Sequence, residues 1–380
     1  MRGRVLIVGG GFSGLLLASM LGDGAVVFEE HERVGRPEHC AGVVSIRTAK
    51  LIGIPQSLIE EKFYEMKIFT KGGMLIWRGN PLAVKVDRVG LEDYLYNECL
   101  SSGTLVKLKS RVTRVSEDGF ILTRDEKVEG EVVVLAEGAK RFFSRKLKMI
   151  QFSDDYYGLQ ARIKADVQVN SIEVYLDRLA EGFFAWLIPL KDRREAIIGL
   201  AAKSSAALRL RLLTFKKILE KRGKIRCSDV KYYFGGTVIR GVVGKVASGK
   251  VVGIGDCVQM TKPFSGGGLY PSTLAAIIMA EKLKKLINGE LDWRSAISQY
   301  RTTMSPLIRG LRASYLAFKL VGLRDYLTIK IMAKGARKLG LQDNVLSSID
   351  YDEHFKSMLH SALNPVKVLQ YAGTLLMGLI

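Results

Sequence analysis

The sequence predicts an α/β protein in which a parallel-sheet domain is interleaved with an antiparallel-sheet domain and followed by a helical region. Three observations predict it. The chain opens on an apolar strand, a glycine-rich loop and a helix. Two further apolar runs of buried-strand type, Val132-Val-Val-Leu135 and Val251-Val-Gly-Ile-Gly255, lie far downstream. Several of the stretches between them alternate with period two, as half-buried antiparallel strands do. At 380 residues the chain exceeds what one core usually organises, so two or more units are expected.

In order, Arg4–Val8 reads as a strand, Gly9–Gly14 as a tight loop, Leu15–Leu21 as a helix and Ala25–Phe28 as a second strand ending in Glu29-Glu30. A polar loop with Pro37-Glu-His-Cys40 and a short helical stretch follow. Lys67–Thr70 and Met74–Trp77 leave the first domain as antiparallel strands. Gly90–Leu100 is an amphipathic helix, and strands through 104–135 return to the first domain. Residues 156–200 form a separate sheet, 205–222 a strongly basic helix and 228–239 another strand. Val251–Gly255 leads through a glycine-rich loop into a helix at 271–287, and the chain is mostly helical after 291. The apolar segment Val366–Ile380 is expected to pack on the core or to lie against a membrane or partner, and together with the basic stretch it fits work at an anionic membrane surface. This organisation assigns 1–62, 86–150 and 240–290 to the nucleotide domain, 63–85 and 151–239 to a substrate domain, and 291–380 to the helical region.

A composition of 48% hydrophobic and 25% charged residues is that of a folded globular enzyme and excludes a disordered or fibrous chain. The net charge of +20 is uneven: residues 201–240 hold eleven Lys/Arg against Glu220 and Asp229. Such a patch attracts polyanions, nucleic acid or an anionic lipid surface; no nucleic-acid module accompanies it, which leaves a solvated helix face or an anionic membrane surface as the readings. Cys40, Cys99, Cys227 and Cys257 lack metal-type spacing, and the four histidines add none, so no metal site is expected. The early first strand leaves no room for a signal peptide, and no apolar run reaches the ~20 residues of a membrane span. The expectation is a cytoplasmic protein, at most peripheral at the inner face of the membrane.

Gly9-x-Gly11-x-x-Gly14 follows a strand and opens a helix, the context in which glycines let a pyrophosphate approach backbone N–H groups at the helix N-terminus. Glu29, at the end of the next strand, is placed to accept from ribose hydroxyls. A Rossmann-type dinucleotide site results, open to NAD or FAD.

Downstream, Gly255-Asp256 follows a buried strand, and Pro263 and Gly266-Gly-Gly268 precede a helix. With these residues the chain resembles the FAD-dependent hydroxylase and geranylgeranyl reductase group over roughly residues 1–290. The resemblance implies FAD, with Gly255 and Asp256 at the ribityl chain and Gly267, Gly268 and Leu269 approaching the isoalloxazine. It also implies that Ser13 joins the first loop, that Arg88 of Val86-Asp-Arg88 contacts the cofactor, and that Val112 makes a backbone contact to adenine. Leu135-Ala-Glu-Gly138 resembles the group's second fingerprint, with Glu137 where Asp is usual.

Within that group, Pro37-x-x-Cys40-x-Gly42-x-x-Ser45 looks like the flavin-adjacent cysteine loop of the geranylgeranyl reductase branch, implying that Cys40, Ala41 and Val43 lie at the flavin. Phe184-Ala-Trp186-Leu-Ile-Pro189 is similar to that branch's substrate motif, with Phe184 for Tyr and Ile188 for Phe, so Phe184, Trp186 and Pro189 are the expected substrate wall. An isolated alkene offers no polar handle, so affinity must come from buried apolar area. Its reduction needs a hydride and a proton, and Cys40 is the candidate to supply or position the proton. The implied substrate is a prenyl lipid, with electrons from a ferredoxin-like protein or NAD(P)H. The alternatives are an FAD-dependent aromatic monooxygenase or halogenase of the same fold, and a flavoprotein passing electrons to quinone. No cluster-type cysteine spacing marks an internal iron-sulfur centre.

Overall fold

The computed structural model describes residues 4–379 except 151, 322, 354, 355, 358, 359 and 362. Its first sheet is built on strands β1 (Val5–Val8), β2 (Ala25–Phe28), β6 (Leu105–Lys107), β10 (Val132–Leu135), β16 (Ala247–Ser248) and β17 (Val251–Gly253), in the order β16-β17-β10-β1-β2-β6. All pairings are parallel except β16 with β17. Strands β1, β2 and β10 are buried at every residue, which is why they read as continuous apolar runs rather than alternating ones.

Register decides where the site falls. Val8 stands beside Phe28 on one flank and Leu135 on the other, and Leu135 stands beside Gly253. The residues that follow, Gly9, Glu29, Ala136 and Ile254, therefore emerge together at the carboxyl edge of the sheet, where open α/β sheets take their ligands. Helix α1 (Phe12–Leu21) crosses from β1 to β2 and is apolar nearly all round because the sheet, α3 (Arg88–Ser101) and α6 (Leu269–Ile287) all pack against it. Gly14 permits this closeness: a Cβ there would stand 2.0 Å from the Gly9 carbonyl oxygen.

The second sheet has the order β15-β11-β14-β13-β12-β4-β5-β3, and only β12 with β4 is parallel. Its strands are β3 (Val43–Val44), β4 (Ile59–Thr70), β5 (Gly73–Val86), β11 (Tyr156–Val167), β12 (Ile172–Tyr175), β13 (Ala185–Leu190), β14 (Glu195–Ala202) and β15 (Ile225–Val238). The β4/β5 hairpin starts at Ile59, earlier than the alternation in sequence suggests. Its first residues, Glu60, Glu61 and Lys62, read as polar loop, yet Glu60 pairs with buried Lys85 and with Arg162. Because β3 comes from the loop after β2 and pairs with β5, the two sheets are tied together beside the cysteine loop.

Side chains alternate across this sheet. On β13, Ala185 and Leu187 join the cluster under helix α5 (Leu208–Lys221), formed with Leu212, Phe215 and Leu219. Phe184, Trp186 and Ile188 face the other way. The basic helix of the sequence is thus α5, its apolar stripe on the sheet and its cations outward. Downstream, α6, α7 (Trp293–Val321) and α8 (Leu323–Leu339) pack in succession, and a C-terminal helix, α9 (Pro365–Leu379), lies on α8. The apolar segment 366–380 is this helix, though Ile380 lies outside the described residues. Among the described residues no helix is long and apolar enough to cross a membrane.

Candidate functional site

A cavity of about 1470 Å3 runs from the carboxyl edge of the first sheet to the inner face of the second and on to the C-terminal helices. That exceeds the roughly 300–1,000 Å3 of a site for one small ligand.

At its polar end lies the first glycine loop. The Gly10 N–H donates to Glu29 Oε2 at 2.7 Å, and Glu29 Oε1 accepts from the His31 N–H at 2.9 Å and lies 2.6 Å from His31 Nδ1. Glu29 is thereby fixed at the end of β2, facing the cavity. Gly11 caps α1, and a Cβ placed on it would meet no atom within 4 Å, so the space above the helix N-terminus is open. Val112, Arg111 and Ser110 close the same end.

Between the ends lies a girdle of charge. Asp256 follows β17 on the cavity wall; burial pushes its carboxyl up, against the pull of Arg141, Arg88 and His39. Arg88, at the start of α3, pairs with Glu92, and its guanidinium lies 5.6 Å from the Phe12 ring centroid. Burial opposes its charge, and Glu92 and Cys40 more than offset this. Among the described residues its buried Nε finds no partner, an unmet donor beside the cavity.

Cys40 is exposed to the cavity, and its Sγ accepts from the Gly42 N–H at 3.4 Å. The preceding loop is anchored on the second sheet: His39 Nδ1 lies 2.8 Å from the Gly235 carbonyl, and the His39 carbonyl accepts from Gln160 Nε2 at 3.3 Å. Gln160 Oε1 in turn accepts from Trp186 Nε1 at 3.3 Å. One chain of hydrogen bonds therefore couples the cysteine loop to the indole on the apolar wall. The Trp186 ring covers Gly199, where a Cβ would come within 2.4 Å of it, and stands edge-on to Phe184 at 5.7 Å between centroids. Ile68, Leu75, Trp77, Ile172 and Ile188 continue this wall.

Of the residues expected from sequence, Gly9, Gly11, Ser13, Glu29, Cys40, Ala41, Val43, Arg88, Val112, Phe184, Trp186, Asp256, Gly267, Gly268 and Leu269 all line this cavity. Gly14, Gly255 and Pro189 do not. Gly14 packs behind the loop. Gly255, at φ +72°, holds its turn against Ser13, whose Oγ a Cβ would approach to 2.6 Å. Pro189 is buried within β13 behind the wall. Glu137 lines the cavity and caps the short helix α4 (Phe142–Lys146), accepting from the Phe143 and Ser144 N–H groups at 3.0 and 2.8 Å.

Sequence reading missed the C-terminal contribution. Lys262, buried beside the second glycine loop, donates to the Tyr351 carbonyl at 2.9 Å and to Asp352 at 3.2 Å. Burial pushes its ammonium down and Asp352 opposes that. Asp352 also accepts from Ser45 and Thr48, tying residues 351–352 to the helix after the cysteine loop. Tyr371 and Leu375 of α9 reach the far wall. No spacing rule announces contacts this distant in sequence. Among the described residues no cluster of His, Cys, Asp and Glu could hold a metal ion.

The features fit a flavin dinucleotide: an open helix N-terminus for a pyrophosphate, a carboxylate for ribose hydroxyls, a desolvated Asp256 for a polyol and an unmet Arg88 donor. No protein-family model matches the chain. Similarity is found to the digeranylgeranylglycerophospholipid reductase of Methanococcus vannielii, 25% identical over 323 residues, 78% of this chain and 81% of the relative. Among solved structures, a geranylgeranyl bacteriochlorophyll reductase-like protein from Thermoplasma acidophilum superposes with a TM-score of 0.81 at 19% identity, covering 97% of this chain and 98% of that one. A flavin-dependent brominase superposes with a TM-score of 0.71 at 14% identity, over 97% of this chain and 100% of its own.

Proposed function

We propose that this chain, which belongs to the geranylgeranyl reductase-like flavoproteins and is a flavin-dependent oxidoreductase, holds FAD and hydrogenates carbon-carbon double bonds in prenyl chains of membrane lipids or their precursors. The observation that carries the reading is the single cavity whose polar glycine-loop end and apolar sheet end meet at the Cys40 loop.

When bound, the flavin supplies the hydride. The protein's residues do the rest. Gly9–Ser13 and Glu29 hold the adenosine and pyrophosphate end, and Asp256 with Arg88 holds the middle of the cofactor. Phe184, Trp186 and Ile188 hold the hydrocarbon by burying its surface, at about 25 cal/mol per Å2. Cys40 Sγ is placed to give a proton to the second carbon, and the guanidinium of Arg88 beside it offsets the charge left on sulfur. Electrons arrive from an external donor, a ferredoxin-like protein or NAD(P)H.

The test is anaerobic. The purified protein is reduced with dithionite and mixed with a geranylgeranyl-bearing phospholipid, and flavin reoxidation and product mass are followed. The expected result is a gain of two hydrogens per bond, slowed by about 10²-fold or more in Cys40→Ala with folding retained, since general-acid contributions are of that order. A flavin that stays reduced until oxygen or quinone is added refutes the prenyl-reductase reading and favours a monooxygenase or an electron carrier.

A further inference from the structure

We infer that the α8/α9 hairpin docks the protein on an anionic phospholipid bilayer and that the prenyl chain reaches the apolar end of the cavity beside it; for its substrate this rests on the reading above. The hairpin has an inside and an outside. Inside, the two helices touch backbone to backbone: a Cβ on Gly335 would stand 1.7 Å from the Thr374 carbonyl oxygen, and one on Gly378 2.0 Å from that of Ile331, so they run antiparallel. On the same side, Tyr371 and Leu375 of α9 and Ile329 and Met332 of α8 wall the cavity.

Outside, the helix is also apolar. Val366, Leu369, Leu376 and Leu379 are 71, 73, 61 and 67% exposed. At 100° per residue Val366, Leu369 and Leu376 fall on the arc opposite Tyr371, Thr374, Leu375 and Gly378, while Leu379 lies at the edge of the inner arc beside Leu375. An exposed apolar strip of this length marks a surface that something covers. The neighbouring helix says what. Lys330, Lys334, Arg337 and Lys338 of α8 form no ion pair among the described residues. Unpaired cations next to a leucine-rich face are the signature of a helix lying in an anionic interface. A polar protein partner would leave the leucines unmet, and a second copy of this hairpin would set its cations against like cations.

Helix α5, the most basic by sequence, is not this surface. It covers the face of the second sheet opposite the cavity, under Ala185 and Leu187, whereas Phe184 and Trp186 point to the cavity. A bilayer on α5 would be separated from the apolar wall by the sheet itself.

The experiment uses the full-length protein and vesicles without prenyl lipid: equal parts phosphatidylglycerol and phosphatidylcholine, with phosphatidylcholine alone as control. Two variants are compared by sedimentation with wild type, Val366→Ser/Leu369→Ser/Leu376→Ser and Arg209→Gln/Lys217→Gln/Lys221→Gln. Circular dichroism and bound flavin check that both are folded. The expected result is binding of wild type to the anionic vesicles, weakened about tenfold or more by the serine variant, since three exposed side chains leave the acyl boundary, and unchanged by the glutamine variant. The serine variant also reduces a detergent-dispersed prenyl alcohol like wild type but loses rate on the same chain embedded in vesicles. Equal vesicle binding by the serine variant and wild type, no binding by wild type, or loss in the glutamine variant alone overturns the inference. A wild-type dimer made monomeric by the serines, with no effect on vesicles, overturns it too and assigns the face to a second copy. If vesicle binding behaves as expected and no prenyl chain is reduced, the docking surface stands and the substrate reading alone fails.

Discussion

Replacing Gly11 and Gly14 separately by alanine separates the two duties of the first glycine loop. Gly11 is extended, with φ −84° and ψ −174°, so alanine fits its backbone, and its new methyl meets nothing within 4 Å. Folding stability of the flavin-free protein should change by no more than about 0.5 kcal/mol. The methyl occupies the cavity where a pyrophosphate would lie against the helix N-terminus, so flavin affinity should fall about tenfold or more, 1.4 kcal/mol or above. Gly14 is the reverse case. Its Cβ would sit 2.0 Å from the Gly9 carbonyl oxygen and 3.2 Å from the Ala136 side chain, which forces α1 off the sheet. Overpacking of this kind costs about 1–3 kcal/mol. With an unfolding entropy of about 2.1 cal/mol/K per residue, that lowers Tm by roughly 1–4 °C for a chain of this length. The assays are thermal unfolding of the stripped protein and flavin titration by fluorescence quenching. Full flavin affinity in Gly11→Ala, or wild-type stability in Gly14→Ala, would refute the assignment of the two glycines.

Gly199→Ala places a methyl 2.4 Å from the Trp186 ring and breaks its bond to Gln160, so KM for the prenyl substrate should rise with little change in kcat, read by steady-state kinetics on dispersed substrate. Arg141 is buried against Ser153 and Asp155, with Arg145 3.8 Å from the same carboxylate; Arg141→Met should cost about 3 kcal/mol in a urea titration, the low end for a broken buried pair. Burial would raise the Glu195 carboxyl, but Lys231 and Arg162 outweigh it and hold it at about 2 against an ordinary 4.5. Its stabilising contribution is complete above pH 4.5 and is lost as pH falls toward 2, so Glu195→Gln should flatten the acid limb of a stability–pH curve over that interval. Equal slopes for wild type and variant would remove that ion pair from the account.

The sequence by itself determined the parallel-sheet half. Continuous apolar runs at 5–8, 132–135 and 251–253, too short for helices and bounded by glycines or turns, read as strands covered on both faces, and three glycines between strand and helix are a local rule about backbone approach. Periodicity and local sterics are properties of adjacent residues, so they are visible in one dimension. The antiparallel-sheet half was legible in type and blurred in extent: Glu60 at the start of β4 hid a strand because its partners, Lys85 and Arg162, lie elsewhere in the chain.

Only the tertiary structure decided which of these residues face one another. It separated Gly14, Gly255 and Pro189, which shape the walls, from Gly11, Asp256 and Trp186, which line the space. It brought Lys262 to Asp352, and Tyr371 and Leu375 to the far end of the cavity. It also showed which helix faces are free: the apolar stripe of α5 is spent on the second sheet, whereas Val366, Leu369 and Leu376 of α9 are exposed. Net charge is read from composition, but which face of a helix is free depends on what packs against the other, and that is set only when the chain closes on itself.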